Sequence, residues 1–489
     1  MSAFQELMAY QRDTEALAQV GGRLGWDQET VMPRGAAQQR GTEMGVIEAV
    51  LHARRCDPRV GEWLERAEAP DAAGQAQLRE IAREHERSLK VPADLARRLA
   101  QVTSQAQGKW AEARANEDFS AFRPILEEVV SLKRQEGAAL AQEGDPYDAL
   151  LDGYEPATNA AQIAAMFDAM RPRLVALRAA ILERPMPQGL TRQFDEAGQM
   201  ELSRELAGAF GYDWTRGRLD MAVHPFCSGS GDDVRITTRI DSADPFNCLY
   251  STIHEVGHAT YEQAINPDYA LTPLGRGASM GVHESQSRIY ENQLGRSRAF
   301  CGWLFDRMRT SFGDLSVADA DAFYAAVNRV HNGYIRTEAD EVQYNLHIML
   351  RFDLERALIS GDLAVGDLEA AWNDRFKQDF GYAVDCPSNG CLQDVHWSVG
   401  LFGYFPTYTL GNLYAGCLNE ALRRDLPDLD DQLGKGDLGG ATGWLRDKVQ
   451  RHGGLYLPAE VIGRASGMPV TEEPLLTYLE AKFGALYRL

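Results

Sequence analysis

The stretch "STIHEVGHATYEQ", residues 251–263, places two histidines and a glutamate on one helical pattern. Residues four apart lie one turn apart on the same helix face, so His254 and His258 can both direct a ring nitrogen at one ion. Glu255 lies slightly further around the helix, where a base acting on water beside that ion must stand. The alternative is coincidence, since about one chain in a hundred with this many histidines shows the pattern by chance. The stretch predicts a metal-binding helix.

A third ligand is expected from the segment that follows. A catalytic zinc site takes three protein ligands and keeps one open position. After the loop "INPDYALTPLGRG" (265–277), the stretch "GASMGVHESQSRIYEN" (277–292) has a second helical pattern, and Glu284 on it would complete the site. Spacing alone also allows Glu284 to be an ordinary surface glutamate. His283 is a rival ligand, although adjacent residues point to different helix faces.

Length and composition indicate a globular protein. The chain has 489 residues, of which 44% are hydrophobic and 25% charged, so it can bury a large core without a metal or a disulfide. Its formal net charge of −21 repels phosphate backbones and anionic lipid surfaces, which excludes nucleic acid as an expected partner.

The same sequence carries expectations about location. The first residues, "MSAFQELMAYQRDTEALAQ", predict an amphipathic helix and not a signal peptide, and no stretch is long enough to span a membrane. Seven cysteines are scattered without a C-x-x-C pair, which is typical of a reducing compartment. We therefore expect a cytoplasmic protein that does not bind membranes.

Most of the chain has helical periodicity, as at Ile163, Phe167 and Met170. Pro92 and Pro124 are predicted to begin helices, because proline is tolerated in a first turn. One region, 217–240, alternates with a period of two over its last residues, which predicts a strand preceded by a turn in "CSGSGD" (227–232). Without repeats or long linkers, we expect a single domain over 1–489 with two helical lobes, approximately 1–200 and 201–489.

Several motifs together resemble one family. "HEVGH" (254–258) followed by "HESQS" (283–287) is similar to the carboxypeptidase Taq family of zinc-dependent metallocarboxypeptidases, and further stretches agree in the same order: "DVRIT" (233–237), "IRTEAD" (335–340) and "GCLQDVHW" (390–397). The resemblance implies a mainly α-helical fold like that of neurolysin and angiotensin-converting enzyme, with a deep groove and a small β-sheet at its edge. It also implies a homodimer that releases single residues from the free C-termini of peptides.

The resemblance also implies residue roles. His254, His258 and Glu284 would bind zinc, which cobalt or another divalent metal could replace, and Glu255 would be the general base. Arg336 would hold the carboxylate of the substrate, for which a guanidinium is well suited.

The resemblance leaves three further residues with open alternatives. His396 and Tyr408 would donate to the oxyanion or to the bound peptide. Alternatively, His396 is a buried histidine satisfied by Asp394, and Tyr408 is a core residue. Arg235 would either fix the edge of the sheet or contact the substrate.

Two other functions stay open on the sequence. A metallo-oligopeptidase or dipeptidyl carboxypeptidase could use the same zinc helix, and Arg336 is the feature that argues against it. A helical binding protein with an inactive site is the more remote alternative, which a metal assay distinguishes.

Overall fold

The computed structural model describes residues 1–489 and is mainly helical with one small sheet, as the sequence predicts. The helices are numbered α1 to α20 in chain order: Ala3–Thr30, Ala37–Arg55, Pro58–Arg66, Ala72–Lys90, Ala93–Ala115, Phe119–Ala141, Pro146–Leu151, Ala160–Leu182, Glu196–Ala209, Pro245–Ala264, Met280–Arg288, Arg298–Phe312, Ala320–Val327, Gln343–Ser360, Leu368–Phe380, Pro406–Asp425, Leu429–Leu433, Gly439–Lys448, Pro458–Ser466 and Glu473–Tyr487. None of them combines the length and the apolar composition needed to cross a lipid bilayer.

Local capping sets the start of the two helices that matter most for the site. α10 begins at Pro245. The preceding residue, Asp244, caps the helix, because its side chain accepts a hydrogen bond from the backbone N–H of Phe246. α11 begins after Ser279, whose side chain accepts from the backbone N–H of Val282. In α10, 14 of the 20 residues are buried, so it is a central helix and not an amphipathic surface helix.

The sheet has three strands: β1 (Leu219–Met221), β2 (Cys227–Ser230) and β3 (Asp233–Thr238), in the order β1-β3-β2. β1 pairs with β3 in parallel, and β2 pairs with β3 antiparallel. The strand predicted before residue 240 is therefore present. The turn predicted over 227–232 is wrong for its first four residues, which form β2, because the connection needs only Gly231 and Asp232. Gly231 has φ +63, a conformation that favours glycine in tight hairpins.

The two prolines that were predicted to begin helices, Pro92 and Pro124, lie at different positions relative to their helices. Pro92 immediately precedes α5, as predicted. Pro124 does not begin a helix, because it lies inside α6, which starts at Phe119. Asp118 accepts a hydrogen bond from the backbone N–H of Ala121 and so starts the helix more than a turn earlier.

The chain forms two compact units, each assembled from three segments. The first unit comprises Met1–Ser88, Pro187–Asn328 and Tyr414–Val470. Its largest fully buried side chains are aromatic: Phe194, Phe210, Tyr250, Tyr261, Tyr290, Phe300 and Phe323. Their burial places α10 in the middle of this unit's core.

The second unit comprises Leu89–Met186, Arg329–Leu413 and Thr471–Leu489. Its largest fully buried side chains include one charged residue: Phe167, Arg351, Phe352, Trp372 and Phe376. The units therefore do not follow a division of the chain near residue 200. The assignment of 1–489 to one metallocarboxypeptidase domain stays a prediction.

Candidate active site

Three of the predicted side chains meet in the first unit. The candidate ligand atoms of His254, His258 and Glu284 all lie within 4.8 Å of one another. Oε2 of Glu284 is 3.7 Å from Nε2 of His254 and 3.5 Å from Nε2 of His258. α10 supplies both histidines one turn apart, and α11 supplies the carboxylate.

The geometry of this cluster fits a divalent metal. Zinc binds histidine nitrogen and carboxylate oxygen at about 2.0–2.2 Å, so two ligands of a tetrahedral ion are about 3.4 Å apart. The separations between Glu284 and the two rings are close to that value. Two imidazoles and a carboxylate are also the ligand set of known catalytic zinc sites. The three residues can therefore hold a metal ion.

A glycine permits the close approach that brings the two helices together. A Cβ atom at Gly257 would lie 2.5 Å from the backbone O of Gln286 and 2.5 Å from Cα of Ser287. No other residue fits there without separating the two backbones. Gly257, between the two histidines of "HEVGH", therefore allows Glu284 to reach them.

A second carboxylate orients His254. Nδ1 of His254 is 2.9 Å from Oε2 of Glu291, which leaves Nε2 facing Glu284. Burial alone would raise the pKa of Glu291, but the hydrogen bond with His254 and the charges of Arg288 and Arg296 outweigh it and lower the pKa to about 2. Such a carboxylate fixes the tautomer and the orientation of a metal-binding histidine.

Glu284 is also held in place by its neighbours. Its Oε1 accepts a 2.6 Å hydrogen bond from Nε of Arg288. Oγ of Ser287 lies 3.3 Å from its Oε2 and donates over a shorter distance, 2.7 Å, to the backbone O of Glu284. Burial opposes ionisation, yet the charges of Arg288 and His254 hold the pKa of Glu284 far below its usual range. Glu284 is therefore an anion at neutral pH, as a metal ligand must be.

Glu255 has the properties of a base. It is buried, and its Oε2 has no hydrogen-bond partner. Burial and, to a lesser extent, the charge of Glu284 raise the pKa of Glu255 to about 7, although the charge of His254 opposes the rise. A carboxylate with a pKa near neutrality can both accept and return a proton at physiological pH.

His283 lies beside the cluster without joining it. Its Nδ1 is 2.6 Å from Nδ1 of His258, and its Nε2 is 2.8 Å from Oε1 of Glu262. Both ring nitrogens are therefore engaged by other side chains, which argues against the rival prediction that His283 is a ligand.

Arg235 is placed on the sheet. It lies on β3 and donates from Nε and Nη2 to the two carboxylate oxygens of Asp233, at 2.7 and 2.9 Å. Its guanidinium also stacks over the ring of Trp26 on α1, with Cζ 4.5 Å from the centroid. These contacts favour a structural role for Arg235 over contact with the substrate. The strand β3 is central in the sheet, however, so Arg235 does not lie at the predicted edge.

The other predicted residues form a cluster in the second unit. Nε and Nη2 of Arg336 donate to Oδ1 of Asp394, at 3.1 and 2.9 Å, and Nη1 donates to the hydroxyl of Tyr344 at 3.1 Å. A guanidinium has five N–H donors, and these contacts use three, which leaves one on each Nη. Nη1 and Nη2 therefore each keep one N–H that can donate to a further acceptor.

His396 and Tyr408 belong to the same cluster. Nε2 of His396 is 3.2 Å from the Tyr408 hydroxyl, and Cζ of Arg336 lies 4.9 Å from the centre of the Tyr408 ring. Burial lowers the pKa of His396 to about 3, so its ring is neutral. Its Nδ1 has no hydrogen-bond partner, and Oδ1 of Asp394 is 3.9 Å away. Asp394 therefore does not satisfy His396 in the way that the alternative requires.

Some residues of these clusters escape sequence reasoning. Glu291 is one, because it lies on the π-helical segment Ile289–Leu294 that follows α11. The widened helix turn changes the direction of the Glu291 side chain, and no sequence pattern in this stretch predicts a π-helical turn. Arg351 is another. Its position in a helix of mostly apolar residues is the one sequence feature that indicates a buried charge with a partner, since a charged residue is rarely buried alone. It donates from Nε to Oδ2 of Asp394 at 2.6 Å.

The fold is mainly helical, one helix carries two histidines, and the next helix adds a glutamate. A further carboxylate, that of Glu255, has no hydrogen-bond partner. This combination is typical of the helical metallopeptidases. The chain belongs to the carboxypeptidase Taq (M32) metallopeptidase family, whose model matches residues 6–483. It is therefore a metal-dependent peptide hydrolase of the carboxypeptidase type.

Relatives agree over the whole chain. The chain is 40% identical to thermostable carboxypeptidase 1 of Thermus thermophilus, over 99% of each chain. It is 35% identical to thermostable carboxypeptidase 1 of Pyrococcus furiosus, over 98% of each. Among solved structures, an M32 carboxypeptidase from Deinococcus radiodurans matches with a TM-score of 0.96 and 36% identity, covering 100% of both chains.

Proposed function

We propose that the protein is a zinc carboxypeptidase that removes single residues from the free C-terminus of peptides, with His254, His258 and Glu284 as the metal ligands. The observation that carries the proposal is the convergence of the two Nε2 atoms on one oxygen of a carboxylate, at 3.7 and 3.5 Å. Peptide substrates follow from membership of the family.

Glu255 is the general base in this proposal. When bound, zinc acts as a Lewis acid that polarises the scissile carbonyl and makes water nucleophilic near neutral pH. Oε2 of Glu255, buried and without a partner, accepts the proton as water attacks, and then delivers it to the nitrogen of the leaving residue. Water is the nucleophile, so no serine or cysteine is required.

Arg336 holds the carboxylate that distinguishes a peptide terminus from an internal peptide bond. Its side chain is only 7% exposed, which strengthens a charge-assisted bond, and Asp394 fixes the direction of its fork. The hydroxyl of Tyr408 and the neutral ring of His396 are hydrogen-bonding groups for the peptide or the oxyanion. We assign Arg235 a structural role on the central strand β3, since its Nε and Nη2 donors are occupied by Asp233.

The second candidate is a metallo-oligopeptidase or dipeptidyl carboxypeptidase. Two observations support removal of single residues instead: the relatives are named carboxypeptidases, and Arg336 keeps N–H donors for a further acceptor. An inactive binding protein fits neither the intact ligand set nor the unpaired carboxylate of Glu255.

The setting of the enzyme is also part of the proposal. All seven cysteines are free, which supports a reducing compartment and hence the cytoplasm. A homodimer is expected from the family resemblance, and sedimentation velocity of the purified protein tests it. Zinc is proposed as the metal, with cobalt or another divalent ion as a substitute, and chelation followed by addition of single metals compares them.

The replacement Glu255→Gln tests the mechanism. Glutamine keeps the size of the side chain but cannot accept the proton, so turnover should fall by about 10²- to 10⁴-fold while the metal stays bound. Metal content and activity are measured on the same sample. As a control, Glu128→Gln changes a partly exposed carboxylate of the second unit that pairs with Arg98, and it should leave both unchanged. Activity of Glu255→Gln within a few-fold of wild type would exclude Glu255 as the base.

A further inference from the structure

A chain of three side chains leads away from His258 on the side opposite to the cluster. Nδ1 of His258 is 2.6 Å from Nδ1 of His283, and Nε2 of His283 is 2.8 Å from Oε1 of Glu262. Glu262 is buried, and both rings are less than one-fifth exposed. We call these three residues the histidine chain.

The hydrogen-bonding rules leave one arrangement of protons in the histidine chain. A neutral imidazole has one N–H donor and one acceptor nitrogen. If Nε2 of His258 binds the metal, its Nδ1 carries the hydrogen and donates to Nδ1 of His283. The proton of His283 must then be on Nε2, where it donates to the carboxylate of Glu262. Every nitrogen of both rings is satisfied.

The surroundings hold the middle ring of the histidine chain in place. A Cβ atom at Gly277 would lie 2.8 Å from Cδ2 of His283 and 2.9 Å from Cε1 of Tyr261, so only glycine fits against this ring. The ring of Tyr261 packs on His283 with centroids 5.2 Å apart. The backbone N–H of Gly277 also donates to Oε1 of Glu262 at 3.3 Å. The ring of His283 therefore has little freedom to turn toward the ion.

We propose that His283 and Glu262 are positioning residues for the metal site. They hold His258 in the tautomer and orientation that present Nε2 to the ion. Through the ring of His283, the negative charge of Glu262 also stabilises His258, although Glu262 does not contact His258. Glu291 performs the same task for His254 by direct contact. The inference rests on the proposed function, because it takes His258 as a ligand.

The test compares two replacements at one position by measuring the dissociation constant for zinc with a competing chromophoric chelator. His283→Leu keeps bulk but removes both hydrogen bonds, and it should weaken zinc binding by about 10- to 100-fold. His283→Gln can accept from His258 with its carbonyl oxygen and donate to Glu262 with its amide. It should therefore restore the affinity to within about three-fold of wild type.

Further variants separate positioning from a purely structural role. Glu262→Gln keeps the shape but removes the charge, and it should weaken zinc binding by about ten-fold. Combined with His283→Leu it should add little, because the two residues act on His258 as one unit. His85→Leu is the control: it removes another buried histidine of the first unit, which bonds the backbone O of Arg55, and should leave the zinc affinity unchanged.

Two outcomes overturn the inference in distinguishable ways. A wild-type dissociation constant in both His283→Leu and Glu262→Gln, with His258→Ala unable to bind zinc, removes the histidine chain and leaves the ligand set intact. Wild-type zinc affinity in His258→Ala removes the ligand set itself and with it the proposed function. The thermal midpoint of each metal-free variant is measured as well, since a structural role alone would lower it equally in His283→Leu and His283→Gln.

Discussion

Arg336 and Arg351 share one carboxylate: Oδ1 of Asp394 accepts from the first, and Oδ2 accepts from the second. Two buried cations around one anion leave the group with a net positive charge. Burial alone would raise the pKa of Asp394, but the two guanidinium groups hold it far below its usual range. In the proposed function, the carboxylate of the substrate balances this excess positive charge.

Amidation of the peptide terminus should cost the wild-type enzyme. A hydrogen bond to a charged partner contributes about 1.5–3 kcal/mol, so kcat/KM for an amidated peptide should be about 10- to 150-fold lower than for the free acid. Arg336→Ala should lose a similar factor on the free acid and discriminate far less between the two. Arg98→Ala, which alters a half-exposed arginine of the same unit, is the control. Equal discrimination by Arg336→Ala and wild type would assign the carboxylate to another residue.

Asp394→Asn should destabilise the protein strongly. It keeps the shape of the side chain but leaves two buried guanidinium groups without their counterion, and breaking such a pairing costs about 3–5 kcal/mol. Urea unfolding followed by circular dichroism measures the change in the free energy of unfolding. A change below about 1 kcal/mol, the usual value for an exposed ion pair, would mean that water compensates the two cations.

Gly257→Ala should weaken the metal site. The added Cβ would overlap the backbone at Gln286, so α10 and α11 must separate, and Glu284 would move away from the histidines. We expect a lower thermal midpoint and at least about a ten-fold loss in zinc affinity. Gly302→Ala is the matched control, because this helical glycine has open space around its Cβ position. It should stabilise the protein by up to about 1 kcal/mol. Unchanged zinc affinity in Gly257→Ala would show that α10 and α11 can separate enough for the added Cβ without displacing Glu284.

Glu355 should make stability depend on pH. Its carboxylate accepts from Tyr147, Trp397 and the backbone N–H of Gly403, yet burial raises its pKa to about 7 from an ordinary value of 4.5. The folded protein then binds the proton more tightly than the unfolded chain. The stabilisation is complete below the ordinary value and is lost as the pH rises through about 7.

The comparison with Glu355→Gln isolates this effect, because all other groups titrate in both proteins. Between about pH 5 and pH 8, wild type should lose on the order of 2–3 kcal/mol of unfolding free energy relative to the variant. Urea unfolding at several pH values measures the difference. A difference that does not change with pH would mean that the three hydrogen bonds keep Glu355 ionised throughout.

The helical spacing in the sequence predicts that His254 and His258 face one ion, because residues four apart share a helix face. Glu284 rests mainly on the resemblance to the family, since spacing alone also allows an ordinary surface glutamate. The orienting groups are harder to predict, since each depends on a departure from regular helical geometry. Glu291 is directed by a π-helical turn, and His283 is placed by a loop that ends at Gly277. Two predicted element boundaries were wrong for local reasons. The cap at Asp118 starts α6 before Pro124, and a two-residue hairpin turn leaves residues 227–230 in a strand.

The pairing of Arg351 with Asp394 was beyond sequence reasoning for a different reason. The two residues are joined by a contact between distant parts of the chain, and periodicity carries no information on such pairs. A buried arginine in an apolar helix predicts that some carboxylate must face it, but not which one.

The interleaving of the two compact units has a consequence for synthesis on the ribosome. The first unit takes its last segment from Tyr414–Val470, and the second takes its own from Thr471–Leu489. Both α10 and α11 have therefore emerged from the exit tunnel long before either unit has all its parts. Apolar surface of α10 must wait for partners translated more than 150 residues later. A nascent chain of this kind exposes that surface for seconds, so it depends on chaperones more than a chain whose domains are translated one after another.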